Sequence, residues 1–300
     1  MKTKTYLFAL MTMALTLGSC SNNEDGIGGE TSKYITVSTS IGNMTRVATD
    51  EKGGQTFEEG DEISVYAWTG DATVAPETRE RVVNNAINKL TNGSWVSTPQ
   101  MLWKNNRDKH YFIGVYPISA ISDLSAGEYT FDVNKQTESD LLVAVNKDGL
   151  SYNVDEQQTV PLTFTHVMAK LVVNLTYKNQ WGGIPTVEKV VVGNAAKEAT
   201  INYLTKVVTP STTAKEDFSL PEITENTKYV SVIIPQEDVK QLTIVIGGKN
   251  FVYDNGTPFK LESGKITTVN LEVGRDEIKL GDVKITDWEN GSTFSGEALN

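Results

Sequence analysis

The chain has 300 residues, a formal net charge of −11 and a single cysteine. One cysteine excludes an internal disulfide, so stability must come from a packed core. The acidic balance argues against nucleic acid or an anionic bilayer as a partner. With only two histidines, the chain has almost no residues from which to build a zinc site or a Ser-His-Asp or Cys-His catalytic group. We therefore predict no catalytic residues, no metal and no cofactor.

The first 20 residues are typical of a secretory signal. Lys2 and Lys4 precede an apolar stretch that is too short for a membrane span, and small residues follow up to Cys20. Leu17-Gly18-Ser19-Cys20 resembles the bacterial lipobox, in which the cysteine is acylated and becomes the first mature residue. This predicts a lipoprotein anchored through Cys20, with a net charge of −13 once the two lysines are removed. The alternative is a plain signal peptide with an incidental cysteine.

Residues 21–32 are polar and glycine-rich, and they cannot bury enough apolar surface to fold. We interpret them as a tether between the lipid and the folded part. The acidic stretch from Ser21 to Asp25 resembles the signal that sends lipoproteins of many Gram-negative anaerobes to the outer face of the outer membrane. The predicted location is therefore the cell surface.

The rest of the chain consists of short β-branched and aromatic runs separated by Gly, Asn, Asp and Pro, which indicates strands and turns. Their spacing of about ten residues favours β-sandwiches. Candidate strands are 34–41, 62–68, 111–116, 141–145, 159–164, 169–177, 187–192, 229–234, 242–246, 250–254, 265–273 and 282–288.

The first candidate strand alternates: Ile35, Val37 and Ile41 share one face, and hydroxyl side chains occupy the other. Residues 77–90 are ambiguous, because Val83, Ile87 and Leu90 suit a helix whereas the following Asn92-Gly93 suits a hairpin; we favour a strand. A polar segment at 153–158 suggests a boundary between an N-terminal domain, 33–157, and a C-terminal domain, 158–300.

Few residues indicate chemistry. His166 follows a strand and is interpreted as a structural side chain, and the acidic run 58–62 as a solvated turn. Tryptophans in sandwiches are usually core residues, but two or three exposed together could stack on sugar rings. The five are Trp68, Trp95, Trp103, Trp181 and Trp288.

A series of weak motifs, in order over about 250 residues, resembles the fimbrillin-like family, the subunits of donor-strand pili of anaerobic gut and oral bacteria. The series begins with Thr45-Arg46 and an acidic Gly-Asp turn that leads into a strand. The motifs are Thr45-Arg46, 57–66, 111–117, 140–144, 162–171, 261–265 and 285–291.

The resemblance implies an all-β fold with two transthyretin-like β-sandwich domains in tandem, export as a lipoprotein, and assembly by strand exchange. In the family an arginine-specific protease cuts just beyond the first strand, and the matching bond here is Arg46–Val47. The displaced strand would carry Ile35, Val37 and Ile41 and leave an apolar groove with an unpaired edge. A strand from the C-terminus of another subunit could fill it by β-augmentation.

The candidate donor lies near 278–300. Ile278 and Leu280 share one face, Gly281-Asp282 would switch the parity, and Val283, Ile285 and Trp288 follow. The alternative is that this segment completes its own domain.

We therefore predict a structural fimbrial subunit, stalk or tip, that serves cell adhesion. Its expected partners are other fimbrial subunits, the outer membrane through the lipid before processing, and a ligand on a host or bacterial surface. A monomeric glycan-binding surface lipoprotein is the alternative, and a glycosidase is a distant third.

Overall fold

A computed structural model describes residues 33–42, 56–153, 156 and 158–288. The described chain is all-β, as predicted, and its helical elements are a 3-10 turn, Thr78–Glu80, and a single turn, α1, Gln136–Ser139. In chain order the strands are β1 Thr36–Ile41, β2 Glu62–Thr69, β3 Arg81–Thr91, β4 Ser94–Thr98, β5 His110–Tyr116, β6 Gly127–Thr130, β7 Leu142–Leu150, β8 Thr159–His166, β9 Ala169–Tyr177, β10 Val187–Ala196, β11 Glu198–Asn202, β12 Val207–Pro210, β13 Lys215–Ser219, β14 Glu222–Thr224, β15 Lys228–Ile233, β16 Gln236–Ile246, β17 Lys249–Leu261, β18 Lys265–Val273 and β19 Ile278–Asp287.

The strands form four sheets. A seven-stranded sheet has the order β1-β8-β7-β5-β2-β3-β4, and a five-stranded sheet has the order β14-β15-β9-β18-β19. A four-stranded sheet, β13-β10-β16-β17, and a three-stranded sheet, β12-β11-β6, complete the fold. Most pairs are antiparallel, but β1 runs parallel to β8, and β18 runs parallel to β9.

The centre of the seven-stranded sheet is buried on both faces, which explains why β2 is apolar at both parities. Ile63, Val65 and Ala67 enter one core, which also holds the apolar side chains of β1; we call it the inner core. Tyr66 and Trp68 point the other way, into a larger core shared with the other sheets, which we call the main core.

The seven-stranded sheet curls until its two edges approach each other. Just before β1, Tyr34 bridges to Leu102 beyond β4, and Ile35 N–H donates to Met101 C=O at 2.9 Å. Further along, Trp95 Nε1 of β4 donates to Thr39 Oγ1 of β1 at 3.0 Å. The first strand therefore closes the curled sheet over the inner core.

The ambiguous segment 77–90 is a strand over most of its length, β3, which pairs with β2 on one side and β4 on the other and buries Val83 and Ala86 in the inner core. The domain boundary at 157/158 stays a prediction. β8, which begins at Thr159, pairs with β1 and β7, and the main core contains residues from both sides of the boundary. No helix in the described part of the chain is long and apolar enough to cross a membrane.

Candidate functional site

The first strand lies in a groove of the seven-stranded sheet. Its six residues pair in parallel with β8, from Thr36 opposite Thr159 to Ile41 opposite Phe164. Ile35, Val37 and Ile41 are 2%, 6% and 8% exposed, so the alternation read from the sequence places the buried face correctly. β1 is therefore held by its ladder with β8, by three buried apolar side chains and, on its other side, by the bonds of Ile35 and Thr39 to Met101 and Trp95.

Polar contacts hold the outer face and the end of β1. Thr36 Oγ1 donates to Gln158 C=O at 3.3 Å, and Ser40 Oγ donates to Thr163 Oγ1 at 3.2 Å. Gly42 N–H extends the ladder by donating to Phe164 C=O at 2.7 Å. These hydroxyl bonds are exposed or partly buried, so each adds little to stability compared with the apolar side chains.

The groove ends in an aromatic cluster around Phe57. The Phe57 ring packs edge-on against Trp95, Tyr116 and Phe164, with ring centroids 5.3, 5.4 and 5.1 Å apart. Phe164 also fills the space that Gly114 leaves by having no side chain, since a Cβ there would lie 2.7 Å from its Cζ. The cluster gives the exit of the groove a rigid wall.

Two cavities flank β1. One, of about 600 Å³, lies between β1 and β4 and is lined by Thr39, Phe57 and Trp95. The other, of about 550 Å³, begins at Ile41, and its charged lining residues are Glu58, Asp61, Asp140 and Lys170. We call it the acidic cavity.

Burial, together with neighbouring charges, shifts the pKa values of two groups in the acidic cavity. Burial lowers the pKa of Lys170, against the opposing effect of Asp140. Burial and the neighbouring Asp61 carboxylate raise the pKa of Tyr116, whose hydroxyl donates to Asp61 Oδ1 at 3.4 Å. The cavity thus holds three carboxylates against one ammonium, an arrangement that favours an incoming cation.

Several predicted site residues lie outside the described residues. These are the lipidation candidate Cys20 and the processing candidates Arg46 and Val47. The described chain stops at Gly42 and resumes at Thr56, which lines both cavities beside Ile41 and Phe57. The predicted cleavage segment therefore connects the end of β1 to the exit of its own groove.

The candidate donor segment, 278–300, is described up to Trp288, and residues 289–300 lie outside the described residues. Its described part forms β19, the edge strand of the five-stranded sheet, paired antiparallel with β18. Ile278 and Leu280 stand opposite Val273 and Leu271, whereas Val283 stands opposite Val269, so two residues of β19 face one of β18. This bulge lies at Gly281-Asp282, and the predicted switch of parity is confirmed.

The side chains beyond the bulge are poorly covered. Val283 and Ile285 point to the same side of the sheet as Ile278 and Leu280, yet they remain 41% and 39% exposed. Trp288, just after β19, stacks on His166 with ring centroids 3.9 Å apart and an interplanar angle of 7°. In this structure the segment is thus paired within its own chain.

His166 has the structural role expected from the sequence, with one addition. Its Nδ1 lies 2.8 Å from Asp140 Oδ1, and its buried Nε2 has no hydrogen-bond partner. Lys170 Nζ lies 5.0 Å from the centre of the Trp288 ring, on which His166 stacks. This group joins the end of β19 to the end of β8.

The tryptophans do not form an exposed aromatic surface. Trp68 and Trp103 are 2% and 8% exposed, and Trp95, Trp181 and Trp288 are half-buried. Trp181 Nε1 donates to Val273 C=O at 3.0 Å, so this ring is also fixed by the fold. Within the described ranges, no group of three or more His, Cys, Asp or Glu side chains is arranged to hold a metal ion.

Sequence reasoning missed the contact between Thr39 and Trp95. The signal was present, because Thr39 interrupts the apolar series Ile35, Val37 and Ile41 on the buried face. It also missed the stack of His166 on Trp288, which no local pattern indicates because 122 residues separate the two rings.

Several solved protein structures superpose on this fold. A protein from Bacteroides uniformis provisionally assigned to cell adhesion superposes with a TM-score of 0.63 at 19% identity, covering 86% of this chain and 100% of that one. A protein from Bacteroides ovatus with the same provisional assignment gives 0.61 at 17% identity, covering 85% and 98%. A fimbrial protein from Bacteroides vulgatus gives 0.52 at 12% identity, covering 84% and 99%.

At these identities the superpositions show a shared fold. No curated protein sequence matches the chain significantly. The sequence profile of the fimbrillin-like family, however, matches residues 45–288, which is most of the chain. The chain belongs to the fimbrillin-like family.

Proposed function

We propose that this protein is a fimbrial subunit that polymerises by donor-strand exchange after cleavage of the Arg46–Val47 bond. Export as a lipoprotein through Cys20 would bring it to the outer membrane before processing, and other fimbrial subunits are its partners. The observation that supports this most directly is the position of β1. It is an edge strand whose buried side chains close a core, and residues 43–55 join it to the strands that follow in the chain.

The energetics are compatible with exchange. Burial of Ile35, Val37 and Ile41 at roughly 1.5–3 kcal/mol each amounts to about 5–9 kcal/mol, before the cost of ordering the strand. A covalently attached β1 is therefore stable in its groove. Once the link is cut and β1 diffuses away, an apolar groove with unpaired backbone groups remains. A strand of another subunit that enters the groove contributes the same free energy of burial.

The decisive experiment treats the purified full chain with an arginine-specific protease. We expect a new N-terminus at Val47 and a ladder of high-mass assemblies on gels run without heating. Arg46→Ala is expected to abolish both. Arg79→Ala is the matched control, because Arg79 is an exposed arginine in the 3-10 turn, and its loss leaves both results unchanged.

A chain that is cut after Arg46 but stays monomeric would refute polymerisation by exchange. A chain that stays uncut and begins at acylated Cys20 would favour a membrane anchor or a monomeric surface lipoprotein. Because the five tryptophans are buried or half-buried, they give a glycan-binding role no direct support. The roles of stalk and tip subunit both agree with a removable β1.

A further inference from the structure

The five-stranded sheet is open along part of one side. β14 pairs with β15 only at the start of β15, where Glu222 stands opposite Tyr229 and Thr224 stands opposite Lys228. From Val230 onward, no described strand pairs with β15 on this side. An edge of this kind presents unpaired N–H and C=O groups to an incoming chain unless other groups cover it.

Side chains and a loop carbonyl cover this edge in place of a strand. Val230 N–H donates to Pro221 C=O at 3.0 Å, and Val232 N–H donates to Gln136 Oε1 at 2.6 Å. Val232 C=O accepts from the hydroxyl of Ser231 at 2.6 Å. Each of these backbone groups is therefore satisfied, as burial requires, but two of the three partners are side chains.

Gln136 takes the place of one peptide group of a neighbouring strand. A side-chain amide offers the same carbonyl and N–H groups as a backbone peptide, and Gln136 Nε2 also donates to Ser231 Oγ at 3.0 Å. Gln136 belongs to α1, a single helical turn with little stability of its own. The peptide group of an incoming strand can therefore replace this amide without a net loss of hydrogen bonds.

The acidic cavity borders the same edge. One of its walls is the face of the five-stranded sheet that carries Lys170, Val230 and Val232, and Lys170 stands directly opposite Val232. Ile223 and Leu142 add apolar surface to the lining. A strand that pairs with the edge of β15 would therefore direct alternate side chains into a space of about 550 Å³.

The lining of the acidic cavity selects the chemistry of those side chains. Glu58, Asp61 and Asp140 outnumber Lys170 among its charged residues. A basic side chain gains from this excess of carboxylates, whereas an acidic one would meet like charges. Together with the apolar part of the lining, the charges favour a strand that carries both apolar and basic residues.

We propose that the edge of β15 at residues 230–233, together with the acidic cavity, binds an extended segment of a partner protein in which apolar and basic residues alternate. The segment displaces the side chain of Gln136 and pairs with the backbone of β15 by β-augmentation. This edge belongs to a different sheet from β1. The inference goes beyond the proposed function, because it requires neither cleavage after Arg46 nor release of the first strand.

The first experiment uses the uncleaved full chain and a short synthetic peptide, blocked at both ends, that alternates valine and lysine. We expect saturable binding, measured by the fluorescence anisotropy of the labelled peptide. A peptide that alternates valine and glutamate tests the sign of the charge and should bind about tenfold more weakly or worse. Equal binding of the two peptides would overturn the proposal.

Two matched pairs of variants test whether the peptide occupies this site. Gln136→Ala removes the competing amide and should tighten binding several-fold, whereas Gln180→Ala, at an exposed glutamine that also accepts a backbone N–H, should not. Glu58→Gln should weaken binding several-fold, and Glu59→Gln, outside the lining of the cavity, should leave it unchanged. A variant that only damaged the fold would weaken binding, so tighter binding by Gln136→Ala is specific to displacement.

Nuclear magnetic resonance of a chain labelled with isotopes at valine locates the contact. The Val232 amide exchanges Gln136 Oε1 for a peptide carbonyl and should shift on titration with the valine–lysine peptide, whereas the amide of Val192 in β10 should not. A Val232 amide that does not move would overturn the site. Equal losses of affinity with Glu58→Gln and Glu59→Gln would show unspecific attraction between a basic peptide and an acidic chain, and would also overturn it.

The proposed function is tested separately with the same variant. Gln136→Ala leaves β1, its groove and Arg46 unchanged, so its assembly after arginine-specific cleavage should match that of the natural chain. Assembly without peptide binding would refute this inference alone. Peptide binding at Val232 without assembly would refute donor-strand exchange and leave the inference standing.

Discussion

Gly114 in β5 illustrates how a single missing side chain shapes the groove. Its neighbour across the inner core is Phe164, whose ring atoms would lie 2.7 and 3.2 Å from a Cβ at this position. The glycine is therefore required by space and not by backbone conformation. Phe164 in turn supports Phe57, so the effect extends to the exit of the groove.

We predict that Gly114→Ala lowers the free energy of unfolding by about 1–3 kcal/mol, because the ring of Phe164 must move. Urea denaturation measures the change. The control is the same substitution in a Phe164→Leu background, where a smaller, flexible side chain should make the added methyl group nearly harmless. An equal loss in both backgrounds would show that the close approach is not the cause.

His110, which is completely buried, gives the fold a dependence on pH. Its Nε2 accepts the Lys104 N–H at 3.0 Å, and Nδ1 lies 3.1 Å from Asp108 C=O, so the neutral ring with its proton on Nδ1 satisfies both contacts. Burial lowers the pKa of His110. Protonation would break the bond to Lys104.

Because this pKa is lower in the folded state, the unfolded chain binds more protons as the pH falls below about 6.5. We therefore expect the free energy of unfolding to decrease between pH values of about 7 and 5. His110→Gln, which keeps an acceptor but does not titrate, should flatten this dependence. Urea titrations of both proteins at the two pH values test it, and parallel curves would contradict the assignment.

Within the strands, the sequence predicted what depends on local periodicity. The buried face of β1 and the change of parity at Gly281-Asp282 follow from a period of two and from a glycine that weakens the strand. The long β3 was ambiguous, because its apolar residues also fit a helical spacing. Short strands rich in polar residues, such as β6 and β14, lacked alternation and were missed.

The pairing of the strands could not be predicted, since it depends on residues far apart in the chain. The parallel ladder between β1 and β8 joins Thr36 to Thr159, and the closure of the curled sheet joins Thr39 to Trp95. Sequence alone thus located the first strand and the last strand of the described chain. It did not indicate the contact between Thr39 and Trp95, and the predictions of lipidation at Cys20 and cleavage at Arg46 rest on motifs.

The two halves of β19 should differ in their effect on stability. Leu280 is half-buried against the main core, whereas Ile285 is 39% exposed. We predict that Leu280→Ala costs about 1–2 kcal/mol of unfolding free energy. Ile285→Thr, a β-branched replacement on the same strand, should stay within about 0.5 kcal/mol. Thermal denaturation of both variants measures the loss of stability. Equal losses for the two variants would mean that the bulge does not divide β19 into a packed half and an uncovered half.

Across the whole molecule, the main core joins elements from both sides of residue 157. Tyr66 and Trp68 of the seven-stranded sheet belong to the same buried cluster as Leu171 and Val173 of the five-stranded sheet. The stack of His166 on Trp288 adds a second connection between these sheets. Sheets that share a core are expected to unfold together.

We predict one cooperative transition, with tryptophan fluorescence and far-ultraviolet circular dichroism giving the same midpoint in urea. Variants that keep only Trp68 or only Trp181 report on the two halves separately. Their midpoints should differ from each other by no more than the effect of the substitutions. Two separated transitions would instead support independent domains at 33–157 and 158–300.

The parallel pairing of β1 also sets an order of events during folding. Thr36 and Thr159 are 123 residues apart, so the closing strand emerges first but finds its partner only after most of the sheet exists. Such a distant contact forms late. Under the proposed function, a newly exported chain would pass through an open-groove state like that of the cleaved subunit, and the high effective concentration of its own tethered strand would oppose capture of a neighbour's strand. Cleavage of the link between β1 and the rest of the fold would end this protection.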